Sequence, residues 1–326
     1  MEHLSDDEIE ETAEPLELGF GEVPAGHRSG FVAVVGRPNV GKSTLVNQFV
    51  GQKVSIVSSK PQTTRSRILG ILTREDAQAI FVDTPGMHRP HHRLGETMLG
   101  VATSAIPDAD VILFVLDVSV PPTAEDGLVA EVIRAHTQAP VILALNKMDL
   151  LPPEEVKSHT EAYWQLLPDH VNWTMTIATQ GVNLDRLLAA VIEALPEGPR
   201  YYPGDQVTDQ TEREIAAELV REQVLRYTYR EVPHAVAVTV TEFKEREGGA
   251  VYVAAEVFVE KDSQKGIIIG RRGQMLRQIG AAARQEIERM TSGRVYLDLH
   301  VKVRKGWRGD DDDVRELLGR AGSGSN

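Results

Sequence analysis

The chain has 326 residues, about two domains at roughly 100 to 200 residues each, and its 41% hydrophobic and 25% charged residues exclude a disordered or fibrous protein. Lys plus Arg number 35 against 48 Asp plus Glu, and a formal charge of -13 excludes a surface that coats nucleic acid or anionic membrane everywhere, so any such binding must be local. The absence of cysteine excludes disulfides, thiolate metal sites and thiol nucleophiles, and fits a reducing cytosol. No apolar run approaches the about 18 residues of a membrane span, and the N-terminus is acidic where an export signal is basic and then apolar, so the expected location is cytoplasmic.

Residues 1–29 hold nine acidic side chains and one basic one with few apolar residues between them, the pattern of a flexible tail. From Phe31 onward, short apolar runs (FVAVVG, AIFVDTPG, DVILFVLD, PVILALNKMD) alternate with stretches of helical period. Strands buried on both faces read this way, and the alternation predicts a mostly parallel α/β sheet over 30–198. PEGPRYYPGDQ, with three prolines and two glycines, opens a linker assigned to 199–210. Over 211–309 the order changes to helix, two strands, helix, a Gly-Arg-Arg-Gly turn, helix and strand, a small α+β domain with one wet sheet face. In the last strand Val295, Leu297, Leu299, Val301 and Val303 alternate with Tyr296, Asp298, His300 and Lys302. Residues 310–326, with DDDD and AGSGSN, read as a solvated tail.

GRPNVGKS follows the strand FVAVV and opens a helix, matching G-x4-G-K-[ST] in the context that motif needs. Its glycines, Gly36 and Gly41, let the backbone of Gly36, Arg37, Pro38, Asn39, Val40, Gly41, Lys42, Ser43 and Thr44 wrap phosphate with successive NH groups facing the anion. Lys42 would reach the β and γ phosphates and Ser43 would ligate Mg²⁺. DTPG supplies Asp83, placed for an Mg²⁺ partner, then Thr84, Pro85 and Gly86, whose NH is free to approach a γ phosphate. NKMD ends another strand with Asn146, Lys147 and Asp149; a carboxylate there accepts from the two donors guanine offers and adenine lacks, discrimination worth about 10⁴-fold. In this order the three motifs specify GTP.

Met87 stands where Ras-like proteins carry the Gln that orients water, so intrinsic hydrolysis is expected to be slow. Asn39 either helps hold a K⁺ ion against the phosphates or only braces the loop. In KPQTTRSR (60–67), Thr64, with Thr63 as the spare, would complete the Mg²⁺ shell when γ phosphate is present, making Lys42, Thr64 and Gly86 the candidate catalytic residues and Ser43, Thr64 and Asp83 the metal set. His88, His91 and His92 suggest a metal site, but a loop of exposed imidazoles is the simpler reading.

Residues 261–308 carry twelve Lys or Arg against four Asp or Glu. GxxG between helices admits a nucleic-acid backbone, and single-stranded RNA is the usual target of such a module. Candidate RNA contacts are Lys265, Ile267, Ile268, Ile269, Gly270, Arg271, Arg272, Gly273, Lys302, Arg304 and Lys305. Trp307 either stacks on a base or packs as a lid.

Together GRPNVGKS, PQTTR, DTPGMH, NKMD, LPEGPRYYPGDQVTDQ and IIIGRRG with VKVRKGW resemble the Era family of bacterial ribosome-assembly GTPases over nearly all of residues 30–320. That resemblance implies a P-loop Ras-like G domain joined to a type II KH domain, Mg²⁺-dependent GTP hydrolysis to GDP, and a monomer that binds 16S rRNA near its 3′ end on the 30S subunit. It also implies RNA contact at Ile267 to Gly273 and peripheral association with the inner membrane. Ile177-Ala178 replaces the family's Ser-Ala, keeping Ala178, whose NH would meet guanine O6. The rival reading is an RNA clamp or chaperone with a vestigial nucleotide site; a double-GTPase relative is excluded by the single P-loop.

Overall fold

A computed structural model describes residues 23–318 apart from residues 61, 91, 92 and 247. Most of the acidic tail, and His91 and His92, therefore lie outside the described residues. Two domains follow one another. The first contains β1 (Arg28–Val35), α1 (Lys42–Val50), β2 (Ile68–Thr73), β3 (Ala77–Asp83), α2 (Arg93–Ser104) and β4 (Val111–Asp117). It continues through α3 (Ala124–His136), β5 (Val141–Asn146), α4 (Val156–Leu166), β6 (Asn172–Thr176) and α5 (Leu184–Ala194). The strands order as β2-β3-β1-β4-β5-β6, parallel except for β2. Period two sorts each apolar run into two cores. Val32, Val34, Leu113 and Ile142 face α1 and α5; Ala33, Val35, Phe114 and Leu143 face α2, α3 and α4. Connections leave β1 towards β3 on one side and β4 on the other, so the crevice at the carboxyl end of β1 is where a ligand seats.

The second domain runs α6 (Glu212–Tyr227), β7 (Ala237–Arg246), β8 (Ala250–Val259), α7 (Asp262–Ile269), α8 (Gln274–Thr291), β9 (Val295–Val303) and α9 (Asp311–Leu317). Strand β8 pairs antiparallel with β7 and parallel with β9, and α6 and α8 cover one sheet face with Leu219, Val224, Ile279 and Ile287. Helix α6 starts from a capping box in which Thr211 and Glu214 satisfy each other's backbone amides.

Two expectations change, and one open alternative closes. Strand β1 begins at Arg28, inside the stretch read as tail. Residues 310–317 are not a solvated tail: Asp310 caps α9, and Val314 and Leu317 are buried against Trp307 and Leu94. The aspartates that read as solvation serve the helix N-terminus, where the dipole favours negative charge. Trp307 is the lid: it is fully buried and its Nε1 donates to the Ala235 carbonyl at 2.9 Å. Among the described residues, no helix is long and apolar enough to cross a membrane.

Candidate nucleotide site and nucleic-acid groove

Loops after β1, β3, β5 and β6 surround one cavity of about 490 Å³. Gly41 adopts φ 107°, and a Cβ there would lie 2.3 Å from Asn146 Nδ2, so glycine is what lets the two loops touch. The contact is a hydrogen bond from Asn146 Nδ2 to the Val40 carbonyl at 2.8 Å.

At the phosphate end, Lys42 is buried and its Nζ donates to the Gly36 and Arg37 carbonyls at 3.1 Å each. Burial lowers its pKa to about 8 against the weaker opposing pull of Asp83. Ser43 Oγ donates to Asp83 Oδ2 at 2.6 Å and lies 2.9 Å from Thr64 Oγ1. Asp83 is fully buried, its Oδ1 has no partner among the described residues, and burial raises its pKa. Two hydroxyls and a carboxylate with an orphaned oxygen are a hard-oxygen set suited to Mg²⁺. Thr63, the spare, turns away: its hydroxyl donates to the Lys60 carbonyl at 2.6 Å.

At the base end, the exposed Asp149 carboxylate has no partner among the described residues, while Lys147 Nζ pairs with Asp117 at 2.6 Å. The Ala178 amide, expected to meet guanine O6, donates to Asn146 Oδ1 at 2.9 Å, a bond that ties the β6 loop to the NKMD loop.

The other motif residues divide between scaffold and cavity wall. Arg37 turns to Asp126 at 3.3 Å and Asp117 at 3.6 Å, Val40 sits in the core, and Thr84 Oγ1 donates to the Val34 carbonyl. Gly86, with Pro38, Asn39 and Thr44, lines the cavity, Pro85 precedes it and is buried, and Asn39 Nδ2 donates to the Ser59 carbonyl at 3.1 Å. His88 lies beside Gln62, 3.4 Å between nitrogens.

In the second domain the turn Gly270–Gly273 joins α7 to α8, with Gly270 at φ 69°, where a Cβ would meet Met275 at 2.6 Å. Arg271 and Arg272 are exposed without ion pairs among the described residues, as is Lys305; Lys265 is half-buried beside Ile267, which is exposed, and Ile269, which is half-buried. Ile268 is corrected: it is fully buried in the core, because α7 needs one inward residue per turn. Arg304 is corrected too, since Asp313 and Glu316 of α9 hold it. Lys302 pairs with Glu256 at 2.5 Å on the wet sheet face. The sequence reading missed a shallow groove between α8 and β9 walled by Leu276, Arg277, Arg284, Leu297 and Leu299. Small residues Gly280 and Ala281 in its lining were the available signal.

The family model described as 50S ribosome-binding GTPase matches residues 31–147, and a KH domain model matches residues 231–308. Curated GTPase Era of Heliobacterium modesticaldum is 46% identical over 293 residues, covering 89% of this chain and 96% of that protein. GTPase Era of Thermosipho melanesiensis is 47% identical over 292 residues, 90% of this chain and 97% of that one. Among solved structures, Era in complex with MgGDPNP and nucleotides 1506-1542 of 16S ribosomal RNA superposes with TM-score 0.86 at 38% identity, covering 89% of this chain and 98% of that chain. A tyrosine-to-alanine variant of Aquifex aeolicus Era bound to GDP·AlF4⁻ gives 0.85 at 39%, with the same coverage.

Proposed function

Because the chain belongs to the Era family of GTPases, we propose that it hydrolyses GTP in the cavity at β1 and binds 16S rRNA near its 3′ end along the groove of α8 and β9, assisting small-subunit assembly. One observation carries the nucleotide assignment: the Ser43, Asp83 and Thr64 oxygens converge in the site whose far end presents the unpaired Asp149 carboxylate. Asp149 accepts guanine N1–H and the 2-amino group, and Asn146 locks that loop to the phosphate loop. Lys42 gives up its carbonyl contacts for the β and γ phosphates, and the Gly86 amide meets the γ phosphate. Ser43, Thr64 and Asp83 would hold Mg²⁺, which would supply charge neutralisation for phosphoryl transfer. Met87 is fully buried, with its amide on the Gly36 carbonyl, so position 87 offers no polar side chain to orient water and turnover is slow.

Asn39 stands at the phosphate mouth with its Nδ2 on the Ser59 carbonyl and no partner on its Oδ1 among the described residues, a placement in which that oxygen would serve as a K⁺ ligand. Turnover faster in K⁺ than in Na⁺, lost in Asn39→Ala, is the expected result; equal turnover in both salts leaves Asn39 a brace.

The decisive experiment crosslinks the full chain to cellular RNA with a non-hydrolysable GTP analogue or GDP and maps the sites, alongside small-subunit profiles of Lys42→Ala and Arg271→Ala/Arg272→Ala cells. Both variants should accumulate immature subunits. Normal profiles in Lys42→Ala alone would make the protein an RNA clamp.

A further inference from the structure

Segment 53–67 carries Thr64 to the metal position, yet it is the second domain that grips this segment. Lys53 pairs with Glu222 at 2.6 Å and with Glu286 at 3.4 Å, and the Val57 amide donates to Glu222 Oε1 at 2.9 Å. Arg221 Nη2 donates to the Thr63 carbonyl. Ile56 is buried in the core of the second domain, and Arg65 donates to the Val236 carbonyl at 2.6 Å and the His234 carbonyl at 3.2 Å. Two consecutive residues of α6, Arg221 and Glu222, thus hold both ends of the stretch 57–63.

Arg221 has little freedom. It is 2% exposed, and Glu218 clamps it through Nε at 2.8 Å and Nη2 at 2.6 Å, a bidentate pairing that fixes the plane of the guanidinium. The carbonyl it holds belongs to the peptide unit shared by Thr63 and Thr64. A peptide is planar, so fixing that oxygen fixes the Thr64 nitrogen and restrains its Cα, from which the hydroxyl reaches to 2.9 Å from Ser43 Oγ. By contrast Asn146, Lys147 and Asp149, which serve the base, have no contact with α6 in these bonds.

We propose that Arg221, with Glu222, is a positioning residue for GTP hydrolysis: a side chain of the RNA-binding domain that sets the Thr64 hydroxyl on the Mg²⁺ position of the other domain. This rests on the reading that Thr64 completes that shell. Groups that bind GDP stay untouched, so the effect falls on Mg²⁺-dependent hydrolysis and on the order of segment 57–66.

The test uses the full chain as wild type, Arg221→Ala, Arg221→Lys, Glu218→Gln and Thr64→Ala. It measures single-turnover GTP hydrolysis across a Mg²⁺ titration, GDP affinity without Mg²⁺, and amide hydrogen exchange of the nucleotide-free protein. Arg221→Ala should hydrolyse about tenfold more slowly with its Mg²⁺ midpoint raised about threefold, keep GDP affinity within about twofold, and exchange faster at 57–66. Arg221→Lys, which retains one donor for the Thr63 carbonyl, should recover part of the rate, and Glu218→Gln should show a smaller loss of the same kind. Wild-type hydrolysis and Mg²⁺ midpoint in Arg221→Ala overturn the proposal, as does a parallel loss of GDP affinity in Arg221→Ala and Glu218→Gln, which marks general packing. Thr64→Ala hydrolysing like wild type overturns the reading of Thr64 itself, and the proposal with it.

Discussion

Asn146 shows how a single side chain can organise a nucleotide site: its amide nitrogen reaches the Val40 carbonyl, and its oxygen takes the Thr176 hydroxyl at 3.2 Å and the Ala178 amide. Asp149 beside it is left with an unpaired carboxylate, and the chemistry of that group is directly testable. Asp149→Asn exchanges an acceptor pair for an acceptor and a donor, so it should lose guanine nucleotides by about 100-fold or more and gain xanthine nucleotides, whose 2-oxo group accepts, in competition binding. Lys42 yields a pH prediction. Its pKa of about 8 in the free site rises when phosphate arrives, so binding takes up a proton above that value. GDP affinity should therefore fall about fourfold between about pH 7 and about pH 8.5, read by fluorescence titration; a flat profile would mean the lysine stays charged in the empty site. Both residues were legible in the sequence because motif spacing alone puts them beside phosphate and base. Arg304 and Ile268 were not: one has its charge taken by Asp313 and Glu316 of α9, the other buries its side chain in the core, and neither fact is local.

Elements joining the domains illustrate the same limit at larger size. The segment read as a linker is docked along its length. The Ile71 amide donates to the Val207 carbonyl at 2.9 Å, and the Leu69 amide to Asp209 at 3.1 Å, covering the open edge of β2. Gln78, fully buried on β3, holds it from inside the sheet. Its Oε1 accepts the Tyr201 and Tyr202 amides at 2.7 and 3.0 Å, and its Nε2 donates to the Tyr202 carbonyl and to Thr73. Gln78→Leu would leave the Tyr201 and Tyr202 amides without their acceptor at a cost of about 1–2 kcal/mol, lowering the urea midpoint and speeding hydrogen exchange at Ile71. An unchanged midpoint would mean the segment is held elsewhere. Helix α6 carries the other surprise: Ile215, Leu219, Val220 and Val224 follow helical spacing, but Arg221, Glu222 and Gln223 on its polar side are buried as well, with Arg221 and Glu222 bonded to Thr63, Val57 and Lys53 of the first domain.

For the molecule as a whole, the distribution of free charge predicts where RNA is felt. Arg271 and Arg272 are exposed and without ion pairs among the described residues, whereas Arg304 is paired with Asp313 and Glu316 of α9. Arg271→Ala/Arg272→Ala should weaken binding of single-stranded 16S rRNA 3′-end fragments and reduce the slope of log affinity against log salt by about 1.4, while Arg304→Ala leaves that slope unchanged. A changed slope in Arg304→Ala would show that α9 releases its arginine to RNA. Sequence alone determined the alternating cores of the sheet, the three nucleotide motifs and the order helix-strand-strand-helix-GxxG-helix-strand, since each is written in short-range periodicity and spacing. The tertiary structure decided what the polar residues of α6 do, which basic residues remain free among those described, and that the Thr63 carbonyl is held from the far domain. Those outcomes depend on which surfaces meet across long stretches of chain, as the Thr63–Arg221 separation of 158 shows, and no local pattern encodes such a meeting.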